Sequence, residues 1–115
     1  MEKVKDFMLL FRFEPNFSNQ PTADELAEQK KQWGVWIGGI AGQAKLVSTY
    51  QLGFTGKQLL PDTSIVDGVN SSANQVLGGN MIVKAKGIDE AVELSKGCPI
   101  LAIGGSVEVR DIILM

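Results

Sequence analysis

The stretch over residues 78–100, GGNMIVKAKGIDEAVELSKGCPI, constrains the fold most, because it predicts a strand and a helix joined by a short turn. The apolar run over residues 81–83 is typical of a central strand. Gly87 stands at the N-cap position of the helix. Asp89 and Glu90 follow in the first turn, where the positive end of the helix dipole favours carboxylates. We expect the rest of the chain to pair with this unit or pack on it.

Two residues mark the end of this helix. Gly97 is expected to adopt the left-handed conformation that often follows a helix, and Pro99 cannot continue one. Five residues at helical spacing are expected to face the core: Ile88, Ala91, Val92, Ser95 and Cys98. Cys98 is the single cysteine, so an internal disulfide is excluded. It is expected to be a small apolar filler, because no histidine is present to activate it as a nucleophile.

The other segments show strand and helix patterns in turn. They predict strands over 7–13, 46–52, 57–60, 64–66 and 107–114, a helix over 22–42 and a polar loop over 69–75. Thr22 and Glu25 have the spacing of a capping box at the start of the helix. Asp67 and Gly68 form a turn signal. Phe17, in the loop before the helix, is expected to be exposed unless it docks on a partner subunit.

The first helix has an apolar stripe that is interrupted by glycines. The stripe consists of Leu26, Trp33, Ile37 and Ile40, with Trp36 beside it. Gly34, Gly38 and Gly39 each cost about 1 kcal/mol relative to alanine within a helix. We therefore expect the backbone of this helix to approach the sheet closely.

The order of elements predicts a single domain over residues 1–115. Two strand–helix–strand halves on one sheet define an α+β, ferredoxin-like antiparallel sheet with two helices on one face. Alternate residues of the first strand point to opposite faces: Phe7, Leu9, Phe11 and Phe13 to one, Met8, Leu10 and Arg12 to the other. Because helices cover only one face, the apolar second face predicts a homodimer with the sheets packed face to face.

The composition excludes several classes of function. A net charge of −2 and a pI near 5.0 argue against nucleic-acid binding, which needs a basic patch. No apolar run is long enough to span a membrane and no signal peptide is evident, so we expect a cytoplasmic protein. The absence of histidine excludes histidine-dependent triads and nearly all zinc chemistry. We predict no metal and no cofactor.

Six segments carry a family resemblance: MLLFRFEP, WIGGIAGQAKLVS, LGFTGKQLLPD, VDG, GGNMIVKAKGIDEAVELSKGCPIL and GGSVEVRDI. Their order and spacing resemble the YCII-related proteins, in the subgroup named for a DGPF motif. The resemblance implies a dimeric α/β barrel of ferredoxin-like subunits, bacterial and cytoplasmic. It also implies relatives that are proposed enzymes with a histidine–aspartate pair, and relatives that accompany extracytoplasmic-function sigma factors.

The chain departs from this family at its namesake motif. The motif is Asp67-Gly68-Val69-Asn70 here, so only its first two residues match. Residues 71–75 carry no ionisable group where the family commonly has glutamate and lysine, and the family's histidine is missing. Asp67 is therefore the one catalytic residue that the resemblance carries over.

Two functions remain open. The first is a small-molecule binder, with or without enzyme-like activity, whose pocket lies between helix and sheet. Asp67 would be its catalytic carboxylate, and its ligand-binding residues would be Arg12, Trp33, Trp36, Met81 and Arg110. The second is a non-catalytic dimeric binding or regulatory module that has lost the catalytic groups. A filled interior and an apolar surface patch outside the dimer contact would favour the second function.

Five of these six site residues, all except Met81, also have a purely structural explanation. An aspartate before glycine usually bonds to its own turn, which applies to Asp67. Arg12 can extend its guanidinium to water from the end of a strand, and tryptophans usually pack in the core. Arg110 can pair with Glu108 or Asp111.

Overall fold

A computed structural model describes residues 3–15 and 21–115, so Phe17 lies outside the described residues. The described residues form β1 (Lys5–Phe13), α1 (Ala23–Gly42), β2 (Leu46–Gln51), β3 (Lys57–Leu59), β4 (Ile65–Asp67), β5 (Ser71–Ser72), β6 (Gln75–Ala85), α2 (Ile88–Ser95), a 3₁₀ helix (Pro99–Ile103) and β7 (Ser106–Asp111). The fold is therefore α+β.

The main sheet has β1 near its centre. Its strand order is β2-β6-β1-β7, each neighbouring pair is antiparallel, and β5 pairs with the start of β6. Leu9 of β1 lies opposite Met81 of β6 and Val109 of β7. The strands β3 and β4 pair with each other as a separate two-stranded sheet, which we call the ribbon.

Both helices pack on the same face of the main sheet and enclose the core with it. The buried core residues are Phe7, Leu9, Phe11, Ile40, Met81, Val83, Ala85, Ala91, Cys98 and Ile100. The predicted alternation along β1 is confirmed, because Phe7, Leu9 and Phe11 share the buried face. Met8 and Leu10 lie on the other face, which no described helix covers.

The predicted helix starts are confirmed. The Thr22 hydroxyl accepts a 3.1 Å hydrogen bond from the Glu25 N–H, and the Glu25 carboxylate accepts one of 3.5 Å from the Thr22 N–H. This helix ends at Gly42, as its pattern predicts. Gly87 is the N-cap of α2.

The predicted left-handed cap at Gly97 is wrong. After Ser95 the chain continues through Lys96 at φ −62°, and Gly97 has no positive φ. Gly104, at φ 84°, takes the left-handed conformation at the end of the 3₁₀ helix. The lack of a side chain at Gly97 has a different explanation, because a Cβ there would lie 3.0 Å from Cδ1 of Trp36.

The predicted close approach of the α1 glycines to the sheet is also wrong. A Cβ on Gly34, Gly38 or Gly39 would meet no atom within 4 Å, and all three residues are exposed. These glycines therefore face solvent rather than the sheet.

Three apolar residues predicted to be buried are exposed: Leu26, Ile88 and Val92. In α2 the buried residues are the small Ala91 and Ser95. The Ser95 hydroxyl donates a 2.8 Å hydrogen bond to the Ala91 carbonyl, which satisfies the buried polar group. The buried face of α2 is therefore narrower than its apolar pattern indicates.

The segment predicted as a polar loop forms a tight hairpin instead. Ala73 and Asn74, at φ 52° and 63°, turn the chain between β5 and β6. Asp67 belongs to β4 rather than to the turn, and the left-handed residue is Gly68 at φ 97°. The last strand ends at Asp111, three residues earlier than predicted.

Candidate functional site

The two tryptophans predicted to bind ligand pack against β1. The ring centroids of Trp33 and Trp36 lie 5.2 and 5.9 Å from that of Phe11 and 5.6 Å from each other, all edge to face. The Trp36 indole N–H donates a 2.9 Å hydrogen bond to the Leu94 carbonyl near the end of α2. The pair therefore joins α1 to the sheet and to the second helix.

Met81 lies at the centre of the interface between helices and sheet. Its relative exposure is 0%, and Leu9, its partner across the strands, is also fully buried. Side chains therefore fill the space at Met81, where the sequence predicts the wall of a ligand pocket.

The two arginines predicted to clamp an anion lie on the uncovered face of the sheet. Arg12 and Arg110 approach the same carboxylate, that of Glu108, at 3.7 and 3.1 Å. All three side chains are at least one-third exposed. An exposed ion pair of this kind typically contributes about 1 kcal/mol or less to the stability of the fold. The structure therefore brings Arg12 and Arg110 together, at a site away from the buried Met81.

Asp67 is an exposed residue of the ribbon. It lies opposite Lys57, whose ammonium is 2.5 Å from its carboxylate, and its side chain is 84% exposed. An exposed carboxylate lacks the apolar surroundings on which the predicted acid–base role depends. Asp67 therefore differs in environment from Trp33, Trp36 and Met81, which belong to the packed interior or its margin.

Two other groups have altered acidity. Burial raises the pKa of the Cys98 thiol to about 11, so it stays protonated at neutral pH and matches the predicted apolar filler. Hydrogen bonds from the Ser64 hydroxyl and backbone N–H, of 2.6 and 3.0 Å, lower the pKa of Asp62. Asp62 thereby holds the turn between the two ribbon strands.

The ribbon presents apolar side chains to solvent. Leu59 and Ile65 lie directly opposite each other and are 72% and 64% exposed. Leu60 and Val66 are exposed as well, on the opposite face of the ribbon. A two-stranded hairpin with such a surface is marginal in isolation, so this patch is a candidate contact surface.

A cavity of about 450 Å³ opens at the base of the ribbon. It is lined by Glu14, Pro15, Phe54, Val69, Ser71, Asn74 and Val76. None of these residues is among the predicted site residues. The signal that could have indicated it is Phe54, an aromatic residue in the Gly53–Gly56 turn.

A second groove, of about 490 Å³, lies between α1 and the 3₁₀ helix. Trp36, Cys98 and Pro99 contribute apolar surface to it, and Glu28 and Lys31 contribute charge. Of the predicted ligand-binding residues, Trp36 lines this groove. The groove is therefore on the outer side of the helix–sheet interface.

The uncovered face of the sheet, which we call the open face, has an apolar centre. Met8, Leu10 and Ile82 are half-buried there by their neighbours on adjacent strands. Arg12 lies near one end of β1, and Glu108 and Arg110 of β7 lie opposite Leu10 and Met8. An ion pair of 3.7 Å between Lys84 and Asp6 lies at the other end of β1. An apolar centre bordered by charged residues is the composition expected of an interface between subunits.

No protein-family model matches the sequence, and a search of the curated proteins finds no match either. None of the helices in residues 3–15 and 21–115 has the length and apolar character needed to cross a membrane. In the same part of the chain, no group of three or more cysteine and acidic side chains is arranged to hold a metal ion.

Proposed function

We propose that the protein is a dimeric, non-catalytic binding or regulatory module. The observation that carries this proposal is the filled interface between helices and sheet, with Met81 at 0% exposure. General acid–base catalysis needs a titratable group positioned beside a bound substrate. The acidic residue offered by the sequence, Asp67, is instead exposed on the ribbon and paired with Lys57.

The proposed subunit fold is ferredoxin-like. In chain order, the four long strands of the sheet are β1, β2, β6 and β7, and in space their order is β2-β6-β1-β7. One helix follows the first of these strands and another follows the third. This arrangement of two strand–helix–strand halves supports the proposal.

The proposed dimer forms through the open face, giving a dimeric α/β barrel. Its support is the apolar centre formed by Met8, Leu10 and Ile82, since a sheet face of this kind is normally covered. The YCII-related assignment, with the bacterial and cytoplasmic setting that it implies, is part of this proposal. Its basis is the motif resemblance together with the strand order.

The ribbon supports the binding function. Leu59 and Ile65 provide exposed apolar surface on an element separate from the open face. A dimer formed through the open face would therefore leave this second surface available for a further contact.

An enzyme that uses Asp67 is the second candidate, supported by the resemblance to the DGPF segment rather than by the surroundings of the carboxylate. Native mass spectrometry of gently purified protein separates the two candidates. A dimer without bound small molecule is expected for the binding module. A stoichiometric additional mass that is lost in Asp67→Ala but retained in Lys57→Ala would favour the enzyme.

The dimer contact itself is tested by a matched pair of lysine substitutions. Leu10→Lys places a charge in the centre of the open face, and Val35→Lys places one on the exposed side of α1. We expect Leu10→Lys to raise the dimer dissociation constant by at least about 100-fold, because an unpaired charge would be buried. Val35→Lys should remain dimeric. A monomeric wild type at micromolar concentration, or equal effects of both substitutions, would contradict the proposed contact.

A further inference from the structure

The cavity at the base of the ribbon has an apolar wall built from three separate parts of the chain. Phe54 follows β2, Val69 follows β4, and Val76 lies in β6. Val76 is buried, whereas Phe54 and Val69 are partly open to solvent. A volume of about 450 Å³ is within the range of small-molecule sites in proteins.

The charge in this cavity is one-sided. Among the lining residues that the structure describes, Glu14 is the only charged one, and none is a lysine or arginine. Within residues 3–15 and 21–115, the Glu14 carboxylate has no hydrogen-bond or ion-pair partner. Ser71 and Asn74 add side-chain oxygens to the same lining.

From these observations we infer that the cavity binds a small organic cation, a primary ammonium group attached to an aromatic or aliphatic body. The body packs on Phe54, Val69 and Val76. The ammonium has three N–H donors, and the oxygens of Glu14, Ser71 and Asn74 provide acceptors for them. The aromatic face of Phe54 adds a favourable interaction with the cation.

The same lining disfavours anionic and neutral ligands. An anion would lie beside the Glu14 carboxylate without a basic group to offset the repulsion. A neutral molecule would keep the apolar contacts but lose the charge attraction. This inference does not depend on the dimer contact, because none of the lining residues belongs to the apolar centre of the open face.

Three probes with the same phenyl group test the inference: 2-phenylethylammonium, 2-phenylethanol and phenylacetate. Each is titrated into the ¹⁵N-labelled full chain, and binding is followed by amide chemical shifts. We expect saturable shifts centred on Phe54, Val69 and Val76. The cation should bind about three- to fivefold more tightly than the alcohol, the ratio typical of one exposed charge contact, and phenylacetate should bind most weakly.

Two substitutions assign the recognition to named residues. Glu14→Gln should remove most of the cation's preference over the alcohol, and Phe54→Ala should weaken the binding of both. Glu28→Gln removes the same charge at the groove beside Trp36 and should change neither affinity. The inference is overturned if the shifts centre on the Trp36 groove, if no probe saturates, if phenylacetate binds as tightly as the cation, or if Glu14→Gln leaves the preference for the cation unchanged.

Discussion

The edge of the Trp36 ring lies so close to Gly97 that a Cβ on this glycine would be 3.0 Å from Cδ1 and 3.3 Å from Nε1. The same Nε1 donates the 2.9 Å hydrogen bond to the Leu94 carbonyl. A glycine that the sequence offers as a helix cap is thus explained by the aromatic ring of another helix. The contact fixes the position of α1 relative to the end of α2.

Trp36→Phe should destabilise the fold by about 2 kcal/mol, because it leaves the half-buried Leu94 carbonyl without its donor and removes part of the ring's packing. Trp33→Phe is the matched control, since it changes the neighbouring ring and leaves that hydrogen bond in place; its cost should be smaller. Urea unfolding of both variants at one fixed protein concentration measures the difference. Equal losses would show that the indole hydrogen bond contributes little.

Two glycine-to-alanine substitutions should act in opposite directions. Gly38→Ala should raise the free energy of unfolding by about 0.5–1 kcal/mol, because α1 gains a better helix former and the new methyl meets no atom within 4 Å. Gly79→Ala should lower it by about 2 kcal/mol or more, because its Cβ would lie 2.6 Å from the Tyr50 carbonyl oxygen of the neighbouring strand. Thermal and urea unfolding test both. Stabilisation by Gly79→Ala would contradict the strand spacing described here.

Local signals explain the parts of the fold that the sequence predicted well. The Thr22–Glu25 capping box needs only residues three apart, and the alternation along β1 needs only neighbouring residues. The roles of the glycines were harder to predict, because whether a glycine has a tertiary contact is not visible in the local sequence. Gly97 depends on Trp36, whereas Gly34 and Gly38 have no nearby contact that explains them.

Ala73→Gly should stabilise the β5–β6 hairpin by about 1 kcal/mol. Ala73 has φ 52°, a left-handed conformation that is costly for a residue with a Cβ and easy for glycine. Ala27→Gly, in the exposed part of α1, is the control and should destabilise by about 1 kcal/mol, because right-handed helix favours alanine. If both substitutions destabilise equally by equilibrium unfolding, the turn does not have the left-handed conformation.

The candidate site was less predictable than the fold because its residues meet only in three dimensions. Glu14 and Phe54 line one cavity although forty residues separate them along the chain. The sequence pattern placed Asp67 in a turn, but the pairing of Ile65 with Leu59 draws it into a strand opposite Lys57. Pairing of the ribbon therefore decides which side chains Asp67 meets, and the Asp62–Ser64 turn between its strands sets that pairing rather than the Asp67–Gly68 signal.

The buried thiol of Cys98 makes stability depend on pH in the alkaline range. Burial raises its pKa from 9.0 to about 11, so the folded state holds the proton more tightly than the unfolded chain does. This contribution is fully present below pH 9.0 and is lost as pH rises from there through about 11.

Cys98→Ala removes the titrating thiol and so isolates its effect. Near neutral pH the variant should be less stable than the wild type, because it leaves a small cavity in the core. As pH rises towards about 11, the free energy of unfolding of the wild type should fall by about 2 kcal/mol more than that of the variant. The difference in stability between the two proteins should therefore close. Urea unfolding of both proteins across this range gives the two curves. Parallel curves would mean that Cys98 reaches solvent in the folded protein, whereas converging curves would confirm that its role is to fill the core.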